Sequence, residues 1–372
     1  MKGFTMSVSG SISRLVRGVF WALSALWLCG VRLPGEFPVG SQAASVQASA
    51  RQSRAGRDWK KQPAIVELDT AGDVFTIGDV HGDYKRLVGL LTTGQIIDPD
   101  PAGPERVRWR AGKSILVCTG DLIDKGPHSL KVIALFRTLQ EDAARAGGQV
   151  IVLMGNHEAE FLADPADDDK AQEFLKELEK EGLDPKDVAA GRDALGVGEF
   201  LRGLPFAVRV NDWFFAHAGH TNGRDLNGLR SELEEEVDEK GYEADILLGK
   251  KGLLEARLHK RPWWEKEGEL PEKSRARLER YVRALGVRHL VIGHQPGKVT
   301  FADGSTRKKG EIYQKFDGLI FLIDVGMSEA IDYSHGALLH ISGGKSAKAV
   351  AIFPDGNSQD LWQRSRQPQE QK

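Results

Sequence analysis

The chain has 372 residues, 41% hydrophobic and 28% charged, a composition that excludes fibrous and disordered classes. Its 51 Lys and Arg against 53 Asp and Glu leave a formal net charge of −2. No overall basic field is available to grip nucleic acid, so an anionic substrate has to be held at a local site.

Arg14 and Arg17 precede an apolar run, GVFWALSALWLCGV (18–31), and a small-residue stretch, SQAASVQASA (41–50). That order is the order of a secretory signal peptide, with cleavage expected near Ala44 or Ala50 and export as the consequence. The run is shorter than the roughly 20 apolar residues of a membrane span; left uncleaved, it would act as a tether. Bulky Trp27 and Leu28 argue against a lipid on Cys29. With 1–50 read as signal and linker and 51–72 as a leader, the mature chain keeps Cys118 alone. No internal disulfide is then possible, and Cys118 reads as a small buried strand residue.

Short apolar runs follow, each ending abruptly in polar residues: VFTIGD (74–79), SILVCTGD (114–121) and QVIVLMGNHE (149–158). Helix-like stretches, YKRLVGLLTTG and SLKVIALFRTLQEDAARAGG, alternate with them, which is the pattern of an α/β protein. PFAVRVNDWFFAHAG (205–219) predicts a hairpin around Asn211 and Asp212, and HLVIGHQPG (289–297) and LIFLIDVGMS (319–328) predict two more strands. Two charged helical segments, about 164–200 and 224–283, read as caps on one domain covering 73–345, with 346–372 as a tail. Within the second, SELEEEVDEK is a solvated helix face. SGGKS (342–346) is no phosphate loop, because Leu339 stands where that motif needs Gly, and DPADDDK lacks the Gly and Glu of a calcium loop.

Five blocks close these runs: GDVHG (78–82), GDLIDKG (120–126), GNHE (155–158), HAG (217–219) and GHQP (293–296). Each falls in a loop after a predicted strand, where open α/β folds place ligand sites. The donors are carboxylate, amide and imidazole without thiolate, a set suited to Mn, Fe or Zn. Two such cations generate a nucleophile at neutral pH and clamp an in-line phosphoryl displacement; the pair needs a shared carboxylate, for which Asp121 is the best candidate.

In this order the blocks resemble the calcineurin-like metallophosphoesterases, specifically the phosphoprotein phosphatase branch. HAG and LIDVGMS make them most similar to the Shewanella-like protein phosphatases, over about 74–341. The resemblance implies an α/β fold, a four-layer sandwich of two mixed β-sheets flanked by helices. It implies two divalent metal ions, Mn foremost with Fe or Zn as alternatives. Asp79, His81 and Asp121 would hold the first, and Asp121, Asn156, His217 and His294 the second. His157 would be the general acid, oriented by Asp124, with Asn156 and Lys125 on the substrate phosphate. A metal-bridging hydroxide would attack in line, without a phosphoenzyme.

The implied substrate is a phosphorylated protein or peptide, carrying phosphotyrosine or phosphoserine/threonine, and not nucleic acid. A nucleotide or dinucleoside polyphosphate hydrolase would use the same blocks. A non-catalytic metal-binding module is disfavoured, because all six ligands and His157 are present. The family usually carries Arg where this chain has Lys125, which offers a mobile point charge in place of a two-pronged fork; Arg224 and Arg261 are candidate replacements. Asp83 reads as a helix cap, and His128 and His220 as rim residues. Of Trp263 and Trp264, one anchors the cap to the core, or the pair stacks on an aromatic substrate.

Overall fold

A computed structural model describes residues 56–99, 101–258, 260–343 and 347–364; the signal-peptide reading and the last three residues of SGGKS lie outside them. In chain order the elements are β1 (Ile65–Leu68), β2 (Val74–Ile77), α1 (Tyr84–Thr93), β3 (Ile115–Cys118), α2 (Ser129–Ala146), β4 (Gln149–Val152), α3 (Asn156–Ala163), α4 (Asp168–Lys180), α5 (Pro185–Ala189) and α6 (Val197–Gly203). Then come β5 (Ala207–Val210), β6 (Trp213–Ala216), α7 (Leu226–Lys240), α8 (Asp245–Leu248), α9 (Pro271–Ala284) and β7 (His289–Ile292). The remainder is strand: β8 (Val299–Thr300), β9 (Thr306–Arg307), β10 (Tyr313–Lys315), β11 (Ile320–Leu322), β12 (Leu338–Ile341), β13 (Lys348–Ile352) and β14 (Ser358–Gln363).

Two mixed six-stranded sheets carry the fold, ordered β1-β5-β6-β7-β11-β10 and β14-β13-β12-β2-β3-β4. In the first, β6, β7 and β11 run parallel; in the second, β2, β3 and β4 do. Every residue of β2, β3, β6 and β7 is buried, as expected of strands covered on both faces. One apolar cluster runs through both sheets and onto the helices, including Leu87 and Leu90 of α1 and Phe136 and Leu139 of α2. The sandwich of two mixed sheets flanked by helices is therefore the fold observed.

Local chemistry sets the boundaries. Asp83 caps α1, accepting the Arg86 amide at 3.0 Å, as its sequence position predicts. α2 presents Val132, Ile133, Phe136, Leu139 and Ala143 to the core and ends at Gly147, whose φ of 80° suits glycine. The hairpin forms where expected, with Asn211 at φ 51° between β5 and β6. α7, which carries the acidic stretch, buries only Leu229, Leu233 and Val237. Cys118 is free and buried, its thiol pushed above the usual range by burial.

Two boundaries differ from the sequence reading. The leader contains β1, paired in parallel with β5, and a buried Arg57 that donates to the carbonyls of Gln62 and Leu204 at 2.9 and 2.8 Å. The tail contains β13 and β14, which extend the second sheet through β12. β14 is largely exposed, so it lacks the apolar pattern that marks a strand in sequence.

Candidate metal centre

Five strands from the two sheets deliver the polar residues. Asp79 and His81 follow β2, Asp121 follows β3, Asn156 opens α3 after β4, His217 follows β6 and His294 follows β7; all are buried. His81, Asp121 and His294 take left-handed backbone, with φ of 45°, 52° and 64°. Such conformations cost roughly 1–3 kcal/mol each and survive only where surrounding structure imposes them. The chain turns sharply at the strand end and aims each side chain back over the sheet edge. Gly155 and Gly293 make this possible by close approach. A Cβ on Gly155 would stand 2.1 Å from Asp121 Oδ1, and one on Gly293 2.5 Å from Asp79 Oδ1.

The imidazole tautomers follow from their partners. His217 Nδ1 lies 2.9 Å from the Thr119 carbonyl, which only accepts, so Nδ1 carries the proton. Its Nε2 lone pair then faces Asn156 Oδ1 at 3.0 Å, His294 Nδ1 at 3.0 Å and Asp121 Oδ1 at 3.4 Å. By the same reasoning, His81 Nδ1 donates to the Ile123 carbonyl at 3.2 Å, and its Nε2 faces Asp121 Oδ2 at 3.5 Å. The Nε2 atoms of His81 and His217 thus converge with the oxygens of Asp121 and Asn156, a donor set suited to cations.

Two clusters result, His81 with Asp121 and His157, and Asp121 with His217 and His294; within each, one ligand atom per residue lies within 4.8 Å of the others. Asp121 belongs to both, turning one oxygen to each. Burial raises its pKa, but the charges of His217 and His157 outweigh burial and hold it well below the usual carboxylate range. Asp79 stands outside both clusters. Its oxygens accept the His294 amide at 3.0 and 3.2 Å, and burial, then the charges of Asp324 and Asp121, push its pKa well above normal. Buried acids crowded in this way complete a donor set that fits divalent metal ions.

Two residues of this region had no role in the sequence reading. Asp324, after β11, is buried beside Asp79, with Oδ1 accepting the Gly326 amide at 2.9 Å and Oδ2 unpartnered. Glu158 is fully buried and accepts four amides, those of Asp121, Leu122, Ile123 and Gly155, at 2.9, 2.7, 3.1 and 2.8 Å. It fixes the loop that carries Asp121. Burial, then the Asp121 charge, raises its pKa to about 7 against the pull of those amides. The signal was present in GNHE, where Glu stands at the third helical position, from which its carboxylate reaches back to the amide of the capping Gly155.

His157 is mostly buried, with Nδ1 3.5 Å from Asp124 Oδ2 and the ring edge-on to His81 at 4.9 Å. Burial, before the Asp121 charge that opposes it, lowers its pKa. Lys125 is half exposed, its Nζ 3.9 Å from Asp124 Oδ2. Both candidate replacements for the family's arginine are paired with acids outside the clusters. Arg224 pairs with Glu232, and Arg261 with Glu267. Arg257 does approach: its guanidinium meets Glu255 at 2.9 Å, and Glu255 lies 3.8 Å from His294 Nε2.

His128 is exposed, as expected of a rim residue. His220 is not: it is buried with its ring 4.7 Å from Trp263, and burial lowers its pKa to about 4. Trp264 is fully buried, and Trp263 Nε1 donates to the Ala218 carbonyl at 3.3 Å, so Trp264 anchors the cap.

Parallel-strand loops from two sheets, holding buried carboxylates and imidazoles around a shared Asp, define a metal-dependent hydrolase of phosphoesters. The model of the calcineurin-like phosphoesterase family matches residues 73–298, more than half of the chain, and the chain belongs to that family. It is 26% identical over 270 residues to an uncharacterized protein of Schizosaccharomyces pombe, covering 69% of this chain and 74% of that one. It is 26% identical over 276 residues to Shewanella-like protein phosphatase 1 of Plasmodium berghei, covering 70% and 69%. Among solved structures it resembles the cold-active protein-tyrosine phosphatase of a psychrophilic Shewanella species, with TM-score 0.61 and 22% identity over 82% of this chain and 85% of that one. That last likeness is one of fold.

Proposed function

We propose that the chain is a dinuclear-metal phosphatase acting on phosphomonoesters of proteins or peptides, phosphotyrosine or phosphoserine/threonine. The observation that carries this reading is Asp121, one carboxylate serving two ligand clusters. Asp79, His81 and Asp121 are assigned to one cation, and Asp121, Asn156, His217 and His294 to the other. Bound there, two divalent cations, Mn before Fe or Zn, supply charge neutralisation on the phosphoryl group and an activated water. The protein's residues do the rest. Lys125 and Arg257 flank the clusters as exposed cations that hold phosphate oxygens, while Asn156 orients the group. His157 acts as the imidazolium that the charges of Asp121 and Asp124 favour against burial, with one N–H directed at the leaving oxygen and the other, on Nδ1, facing Asp124.

Export through residues 1–50 belongs to the same proposal. Among the described residues no helix is long and apolar enough to cross a membrane.

Because His157 also belongs to a cluster, Asp79→Asn and His157→Asn separate the roles. Elemental analysis is expected to show one metal lost in the first variant and both kept in the second, with turnover falling roughly 100-fold or more in each. Metal loss in His157→Asn with full loading of Asp79→Asn would reverse the assignment. A panel of phosphopeptides and nucleotides with added Mn tests the substrate, and exclusive turnover of nucleotides or dinucleoside polyphosphates would overturn the protein-phosphatase reading.

A further inference from the structure

Helix α4, in the first charged insertion, is broken. Ala171, at φ −137° and ψ 29°, interrupts its helical backbone. The stretch beyond it starts afresh, with amides that need acceptors. Ala171 stands where a capping side chain belongs, and alanine has none to offer. The acceptor comes from across the fold: the Glu173 amide donates to Asp124 Oδ1 at 2.9 Å. Asp124 therefore caps α4 with one oxygen and faces His157 Nδ1 with the other, at 3.5 Å.

A second tie lies one turn further along. The Glu177 carboxylate accepts the amides of Ser129 and Leu130, at 2.6 and 3.1 Å, at the start of α2. Ser129 Oγ in turn accepts the Asp124 amide at 3.2 Å. Both the side chain and the backbone of Asp124 are thus held from α4. The hold has something to oppose: Asp124 and Lys125 are consecutive left-handed residues, with φ of 64° and 63°. Two such residues in succession persist only where the surroundings over-determine them.

We propose that α4, through the Glu173 amide and the Glu177 carboxylate, is a positioning element of the reaction that fixes Asp124 against His157. The insertion at 164–200 then supports the chemistry as well as covering the domain. This rests on the reading of His157 as proton donor.

Aryl monophosphates with leaving phenols of graded acidity test it, since a misplaced donor costs most with the poorest leaving group. Glu173→Pro removes the amide at a first-turn position that tolerates proline. It and Glu177→Ala are expected to lose roughly 10- to 100-fold in kcat/KM on phenyl phosphate, with a much smaller loss on 4-nitrophenyl phosphate and unchanged metal content. Glu179→Ala, on the same helix away from the site, is expected to behave as the parent. Asp124→Asn should show the same leaving-group dependence, and adding Glu177→Ala to it should steepen nothing further. Reciprocally, hydrogen exchange at the Glu173 amide should quicken about tenfold in Asp124→Ala, which removes the accepting oxygen.

Equal losses on both esters, or additive slopes in the double variant, would overturn the positioning role. If Asp124→Asn and His157→Asn themselves lack leaving-group dependence, the proton-donor reading fails instead. Should Glu173→Pro not fold, Glu177→Ala and the exchange measurement decide.

Discussion

Asp121 shows how one side chain depends on its neighbours' smallness. Its carboxylate serves both clusters only because Gly155 presents no Cβ, which would otherwise stand 2.1 Å from Oδ1. Gly155→Ala is expected to rotate that carboxylate away and lower metal affinity roughly 10- to 100-fold with the fold retained. Metal titration alongside an unfolding curve checks this; full loading at parental affinity would contradict it. At this scale much of the site was legible. Asp79, His81, Asp121, Asn156, His217 and His294 carry donor atoms at strand ends, most of them beside glycine, and the fold brings His81, Asp121, Asn156, His217 and His294 close together with Asp79 outside the two clusters. Asp324 and Arg257 were not legible as participants. Their roles depend on which residues lie beside Asp79 and His294 in space, and nothing in local spacing encodes that.

Among the elements, the second charged insertion is pinned by Trp264, which is fully buried, packs edge-on against Trp263 at 5.0 Å and lies 6.4 Å from Phe301. Trp264→Ala is expected to cost about 3–5 kcal/mol of stability and to leave discrimination among phosphopeptides unchanged. Urea unfolding and relative kcat/KM values on two peptides measure the two halves, and a changed preference would show that the anchor also shapes the substrate face. β2, β3 and the hairpin at Asn211 were readable because apolar runs and turn chemistry are local signals. β1 and β14 were not, since edge strands owe their structure to partners, β5 and β13, that are distant in sequence or are themselves weakly patterned.

For the whole molecule, burial makes pH a stability variable even away from the metal centre. His289, at the opposite end of β7, stacks on Trp213 at 4.0 Å and bonds the Gly318 carbonyl at 2.7 Å. Burial, against that bond, lowers its pKa from 6.5 to about 4. The unfolded chain therefore binds this proton more readily than the folded one. Its effect is absent above pH 6.5; as pH falls toward 4, stability drops by up to about 3 kcal/mol. His289→Phe is expected to be less sensitive than the parent across that window, by about 2 kcal/mol at pH 5, as denaturant midpoints at pH 7 and 5 would show. Equal pH slopes in the two proteins would refute it. The sequence by itself determined the strand cores, the helix caps and the chemical identity of the metal-binding atoms, because these follow from side-chain type and near-neighbour spacing. Tertiary structure alone decided that Asp121 joins two clusters, that Glu158 clamps four amides, that Arg257 pairs with the Glu255 beside His294, and that α4 holds Asp124. Each of these is a contact between segments brought together only when two sheets pack, and the energy that selects it belongs to the packed state.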